Sequence, residues 1–308
     1  MRLTALAGGT GAAKLLRGLV ASIPPRDLTV IGNTGDDTDV WGLHVSPDLD
    51  TVTYALAGLL DIERGWGRAG ETFRCRDAMS ALGVDVWFNL GDQDLATHLW
   101  RTAALRAGCT LSDVTAELTR RLGAQALVLP MSDDPVRTRV QTPESWLAFQ
   151  EYFVRERARP KVVDVEYSAA DRARPAPGVL GALRDADVVV VCPSNPVTSI
   201  GPILAVPGIY EALDVTRARI VAVSPIIGGA AVSGPAGALM RARGLPLSPA
   251  GVAMAYSPWL DTLLVHDTDR DRVPEVEALG VRAVVTNILM TDRAGEAALA
   301  RALLEAAR

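Results

Sequence analysis

A short apolar run from Leu3 to Ala7 leads directly into Gly8-Gly9-Thr10-Gly11 and then into a segment of helical character from Ala12 to Ala21. A strand that turns through glycines into a helix opens a βαβ unit, which constrains the next strand to pair in parallel. Pro24-Pro25 closes the helix, and Leu28 to Ile31 supplies the second strand. Later runs share the same look: Ala126–Leu129, Val188–Cys192, Ile220–Val223, Leu263–His266 and Val281–Val285 are short, rich in aliphatic residues and without polar alternation. Such runs fit a parallel sheet covered on both faces. Helix-like segments, notably Gly237–Arg243 and Ala294–Ala307, lie between or after them. The expected fold is α/β: a Rossmann-like, doubly wound, mostly parallel sheet with an added, largely helical smaller lobe.

Two stretches break the alternation and supply that lobe. Residues 51–123 read as almost wholly helical, with Leu95, Leu99, Thr102 and Leu105 at helical spacing. Residues 130–167 hold a Thr/Val/Arg strand, a helix around Trp146 to Arg157 and a strand at Val162 to Val165. The expected organisation is a nucleotide-binding core of residues 1–50 and 175–308, with strand 126–129, and inserted segments 51–124 and 130–174 forming the smaller lobe.

Charge narrows the partners. Lys plus Arg number 31 against 36 Asp plus Glu, a net charge of -5, and only 5% of residues are aromatic. A nucleic-acid binder would show a basic excess and stacking platforms, so no nucleic-acid partner is expected. Cys75, Cys109 and Cys192 form no CxxC pair, and His44, His98 and His266 are scattered, which argues against a disulfide framework or a structural zinc site. No apolar run reaches about 18 residues, so the expectation is a cytoplasmic protein without a membrane partner.

The chemistry is expected where polar or glycine-rich loops follow the strands, because ligands of open α/β sheets bind outside the strands' carboxyl ends. Gly8, Gly9, Thr10 and Gly11 would let backbone N–H groups meet a phosphate at a helix N-terminus, with Lys14 adding a cation. A purely structural glycine turn is the alternative. The loop lacks the Gly-Lys-Ser/Thr of a Walker A motif, and Lys14 stands in place of a third fingerprint glycine. Asp36, Asp37 and Asp39 crowd the second loop, as a cation site or as solvated surface. Asp48 and Asp50 lie just before a helical run that Asp50 or Thr51 could cap, and Asp92 or Asp94 could cap the next, which carries His98 one turn in. Ser194 and Asn195 follow the Val188 run, and Gly228-Gly229 follow the Ile220 run as a second phosphate-sized turn.

The strings GGTGAAKLLRGL (8–19), NTGDDTDVWGLHVSPDLDTVTYALAGL (33–59), NLGDQDLATHLWRT (89–102), LPMSDDPVRTRVQT (129–142), FQEYFV (149–154), PSNPVTSIGPILAVPGI (193–209) and AVSPIIGGAAVSGPA (222–236) resemble the 2-phospho-L-lactate transferase family of coenzyme F420 biosynthesis. The resemblance implies a transferase that joins a phosphoacid, such as 2-phospholactate or phosphoenolpyruvate, from its guanosine diphosphate donor to the deazaflavin alcohol Fo, with release of GMP. It also implies Mg²⁺ as cofactor and a homodimer. Carried onto this sequence, it places Asp50 against Fo as the catalytic residue, orienting the attacking hydroxyl, binding the cation or both, and Asn89 at a position associated with Fo. His98 is also expected on the Fo side, and Asp36, Asp37 and Asp50 are the expected metal residues because two donor phosphates call for a hard cation held by few carboxylates. Asn89 stands where the family pattern has Arg, and Ser233 where it has Lys. A related branch of nucleotide-sugar-binding gluconeogenesis factors shares a similar core and is the alternative expectation.

Overall fold

A computed structural model describes residues 1–308. Seven parallel strands form the central sheet: β1 (Leu3–Ala7), β2 (Leu28–Gly32), β3 (Leu127–Pro130), β4 (Val188–Val191), β5 (Arg219–Val223), β6 (Thr262–Val265) and β7 (Arg282–Val285). Across the sheet they run β7-β6-β5-β4-β1-β2-β3. The strand order therefore reverses between β1 and β4, which pair in parallel with Leu3 opposite Val188. That reversal is the switch point of a doubly wound sheet, and it opens a crevice beyond the two strand ends.

The apolar runs are buried on both faces. Alternate residues of one strand enter different cores: Val189 and Val191 join Leu6, Ile31, Ala222 and Leu263 on one side. Val188 and Val190 join Ala5, Val30, Val221 and Leu264 on the other. Strand boundaries differ from the expected runs by about a residue, but helix α1 (Gly9–Val20) starts within the glycines, earlier than Ala12. On its face of the sheet α1 packs against helix α2 (Pro47–Leu56) and the C-terminal helix (Arg293–Ala306). Residue 50, where the sequence reading divides core from insert, lies inside α2.

Arg17 of α1 is the one buried charge on that helix, and it meets Glu296 of the C-terminal helix. Nε donates to Glu296 Oε2 at 3.0 Å and Nη2 donates to Oε1, with both side chains 4% exposed. Glu296→Ala would leave a buried guanidinium uncompensated, and a loss of about 3–5 kcal/mol is expected. Denaturant unfolding checks it: an unchanged midpoint would show that the pair contributes nothing net.

The two added stretches differ from the sequence reading. Helices α3 (Arg74–Ala81), α4 (Asp92–Arg106) and α5 (Leu111–Leu122) are present, but 57–73 and 82–91 are loops rather than helix. An unexpected antiparallel hairpin, Thr38–Val40 with Leu43–Val45, follows β2. The helix expected around Trp146 is instead a strand, Trp146–Ala148, followed by a π-helical turn at Glu151–Arg155. That strand pairs with Arg137–Gln141, whose other edge carries Asp164–Ser168. No helix is long and apolar enough to cross a membrane.

Candidate active site

A cleft of about 510 Å³ lies at the switch point. Gly8–Gly11 form one wall, the Pro193–Asn195 turn after β4 the next, and α2, α4, residues 149–154 and the loops at 64–67, 88–89 and 233–235 close the rest. The glycines are there because this corner is crowded. A Cβ on Gly8 would stand 2.2 Å from Asp48 Oδ2, and one on Gly11 2.2 Å from the Pro193 carbonyl oxygen. Gly9 adopts φ +71°, a conformation that costs glycine least. Gly8 N–H donates to Ser194 Oγ at 3.2 Å, and the Ser194 hydroxyl donates back to the Gly8 carbonyl at 2.7 Å. Asn195 Oδ1 accepts from the Val197 N–H at 2.9 Å. Ser194 and Asn195 thus line the cleft, Ser194 tying its two strand ends together and Asn195 shaping the turn after β4.

The acidic residues divide into distinct environments. Asp36 and Asp48 both accept from Asn33 Nδ2, at 3.1 and 2.9 Å. Gln150 Nε2 donates to the second oxygen of Asp36 at 2.9 Å. Burial pushes the Asp36 carboxyl well above the usual range, and the charges of Asp48 and Asp37 push it further. Burial likewise raises Asp48 to about 6, against hydrogen bonds from Asn33, Ser199 and the Gly9 backbone that favour its charged form. Two crowded, buried carboxyls whose charged forms are disfavoured suit a cation between them. Asp48 is the residue that the sequence reading passed over in favour of Asp50.

Asp50 is already compensated. Its carboxylate meets the buried guanidinium of Arg101, with Nη1 donating to Oδ2 at 3.0 Å and Nη2 donating to Oδ1. Arg101 Nη1 also lies 3.2 Å from His98 Nδ1. A guanidinium only donates, so Nδ1 is the acceptor and the ring proton sits on Nε2. That atom is 3.3 Å from Asp94 Oδ1, which also accepts the Tyr54 hydroxyl at 2.6 Å. Burial alone would raise Asp94; the neighbouring His98 ring and the Tyr54 hydrogen bond bring it below the usual range. Tyr54, desolvated and beside Asp50 and Asp94, is held well above an ordinary phenol. Asp50, Tyr54, Asp94 and His98 all line the cleft, as does Asn89, whose Oδ1 accepts from Arg76 Nη1 at 3.0 Å.

Four expected residues fall elsewhere. Lys14 lies beyond the first turn of α1, and its Nζ donates to the Met290 carbonyl at 3.1 Å, away from the cleft. Gly228 and Gly229 sit in a small hairpin between Ile226–Ile227 and Ala230–Ala231, where the Gly228 N–H is taken by the Asp269 carboxylate at 3.0 Å. The same loop reaches the cleft later, through Ser233, Gly234 and Pro235. Asp37 lines a separate pocket of about 180 Å³, with Oδ2 accepting from Ser46 Oγ and lying 3.0 Å from His44 Nε2. No three acidic, His or Cys side chains converge as a ready metal cage. Mg²⁺ does not require one, because it keeps waters and takes one or two carboxylates plus substrate phosphates. Among the three expected metal residues only Asp36 combines a place in the cleft with an uncompensated carboxyl, and its partner is Asp48.

Comparison with known proteins agrees with the fold and extends it. The profile of the family described as 2-phospho-L-lactate transferase CofD matches residues 3–295. A phosphoenolpyruvate transferase of Streptomyces griseus is 48% identical, covering 100% of this chain and 98% of the relative. A 2-phospho-L-lactate transferase of Methanosarcina acetivorans is 44% identical over 93% of each chain. A solved member of the upf0052 family from Bacillus halodurans superposes with TM-score 0.67 over 98% of each chain at 20% identity, a likeness of fold alone. The α/β architecture with a cleft at its switch point defines a Rossmann-like class of protein. Within it, this chain belongs to the 2-phospho-L-lactate transferase family and is a transferase.

Proposed function

We propose that this transferase moves a phosphoacid from a guanosine diphosphate donor to the hydroxyl of Fo, with phosphoenolpyruvate as the acid. The observation that carries the reading is the meeting, in one cleft, of the α1 N-terminus with the Asp36–Asp48 pair. The choice of acid follows the names of the Streptomyces relatives, at 48% and 47% identity, over the Methanosarcina acetivorans relative at 44%. The cleft rim suits a flat ring: Phe149 and Phe153 stack at 5.6 Å with planes 7° apart, and Trp66 and Phe88 also line it.

In the reaction the acceptor oxygen bonds to the phosphorus that bears the acid. The bond from that phosphorus to the bridging oxygen breaks, and GMP leaves with the electron pair. Transfer of this kind is mostly positioning and charge neutralisation. The Gly8 and Gly9 N–H groups are already taken by Ser194 and Asp48, so the N–H groups of Thr10 and Gly11, which have no acceptor within α1, bind the diphosphate. Asp36 and Asp48 would hold Mg²⁺, which neutralises charge on the phosphate oxygens when bound. Asp50, fixed by Arg101, keeps a lone pair on each oxygen and orients the acceptor hydroxyl by accepting a hydrogen bond from it; the hydroxyl proton is released as the new bond to phosphorus forms and is taken up by the phosphate of the leaving GMP or by water.

The test is direct. Protein, Fo, Mg²⁺ and a panel of guanosine donors are incubated, and GMP is followed by chromatography. GMP stoichiometric with a phosphodiester product, fastest for the enolpyruvyl donor, is expected; no GMP from any donor would remove the reading. Turnover should also stop in excess chelator and return at roughly millimolar Mg²⁺. Full activity in chelator would show that the acid pair works without a metal.

A further inference from the structure

Resting on the proposed transfer, we infer that Arg64 reads the carboxylate of the donor's acid and is a specificity-determining residue for it. Four aspartates line the cleft, and Arg64 is its sole lysine or arginine. A donor with two phosphates and a carboxylate brings several negative charges into this acidic space. The α1 N-terminus is suited to the diphosphate, which leaves the acid's carboxylate in need of its own cation.

Arg64 is placed for that. It belongs to a closed loop pinned by the Leu60–Arg68 bridge, with Asp61 N–H donating to the Gly67 carbonyl at 3.1 Å and Gly65 N–H to the Asp61 carbonyl at 2.9 Å. The loop rests on the first turn of α1: a Cβ on Gly65 would be 3.2 Å from Thr10 Cγ2. Asp61 holds the loop from within, accepting the Arg64 N–H on Oδ1 and pairing with Nη2 through Oδ2, both at 2.9 Å. Nη2 also donates to the Arg68 carbonyl at 2.9 Å. The guanidinium carbon lies 5.3 Å from the ring centroids of both Trp66 and Phe73. Nε is buried against the protein, whereas Nη1 makes no hydrogen bond within the protein and is not buried, so it is the donor left for a ligand on a guanidinium whose position is otherwise fixed. A preorganised, stacked guanidinium is the side chain best matched to a planar carboxylate.

The test compares two donors, the acid-bearing one that wild type turns over fastest and its counterpart with hydrogen in place of the carboxylate. In wild type the carboxylate should raise kcat/KM about tenfold to a hundredfold, the span of one charged hydrogen-bonding contact. In Arg64→Ala that ratio should collapse to about one while KM for Fo stays unchanged, and Arg64→Lys should retain part of it. An Arg64→Ala enzyme that still discriminates as wild type does would overturn the inference. So would a wild-type ratio near one. A wild type inactive with every guanosine donor removes the proposed function and this inference together, which separates that failure from the other two.

Discussion

Asp48→Asn is expected to give a folded protein that is more heat-stable than wild type without added metal, and slower in transfer by about a hundredfold or more. The opposed effects share one cause. Asp48 is buried and raised from the ordinary 3.8 to about 6. Between those values the folded protein keeps a proton that the unfolded chain has lost. Stability therefore falls as pH rises through that window and is level above it. Asparagine has no such slope and puts no charge beside Asp36. In chelator, the difference in thermal midpoint between variant and wild type should be small at the acid end of the window and largest above about pH 6. Mg²⁺ should narrow it, because a ligand that binds the folded state stabilises the protein that binds it. A variant no more stable than wild type at neutral pH in chelator would show that Asp48 carries no stored repulsion. Near-normal turnover would free it from the site.

Much of the sheet was legible because its signal is local. Val188 to Val191 cannot be mistaken for an exposed strand, and the alternation of its residues between two cores follows from the pleat. The helix after β1 was placed late because glycines are poor helix formers, and here they form the first turn, where α1 must approach Asp48 and Pro193. That early start is also why Lys14 misses the cleft. The Thr38–Val45 hairpin carries no strong sequence signal because its turn is Trp41-Gly42, at φ 52° and 74°, rather than an Asn-Gly or Asp-Gly pair. Trp146 to Arg157 has aromatic residues at spacings that a helix or a strand could use, and pairing with Arg137–Gln141 decides for the strand.

Within the site, residue type was legible and relation was not. SPDLD offers two aspartates on one helical turn, and nothing in the string says which is neutralised. Arg101, the residue that decides it, lies 51 positions away. The nearest available signal was the glycine at position 8: a turn residue with no side chain leaves room for a carboxylate, and Asp48 fills that room. Gly228-Gly229 had the composition of a phosphate turn, but Asp269, on another loop, already takes the N–H that a phosphate would need.

Asp50→Asn should change stability in the opposite sense to Asp48→Asn, though only two positions separate them. Asp50 and Arg101 are 6% and 2% exposed, and the carboxylate meets two guanidinium nitrogens. Burial works against the guanidinium's charge, and Asp50 more than restores it, holding Arg101 above its ordinary range. An amide presents one acceptor and no charge. The variant would leave a buried guanidinium with only neutral acceptors, the amide oxygen, the His44 carbonyl and the His98 ring, and a stability loss of about 3–5 kcal/mol is expected. Activity should fall with it, since the freed Arg101 no longer fixes the acid and disturbs His98, whose other nitrogen faces Asp94. A double-mutant cycle separates the two losses. Asp50→Asn with Arg101→Gln should recover much of the stability and little of the transfer. If the double variant is as unstable as the single one, the pair is not what holds this wall of the cleft. If Asp50→Asn alone is as stable as wild type and as fast, Asp50 neither positions the acceptor nor compensates Arg101.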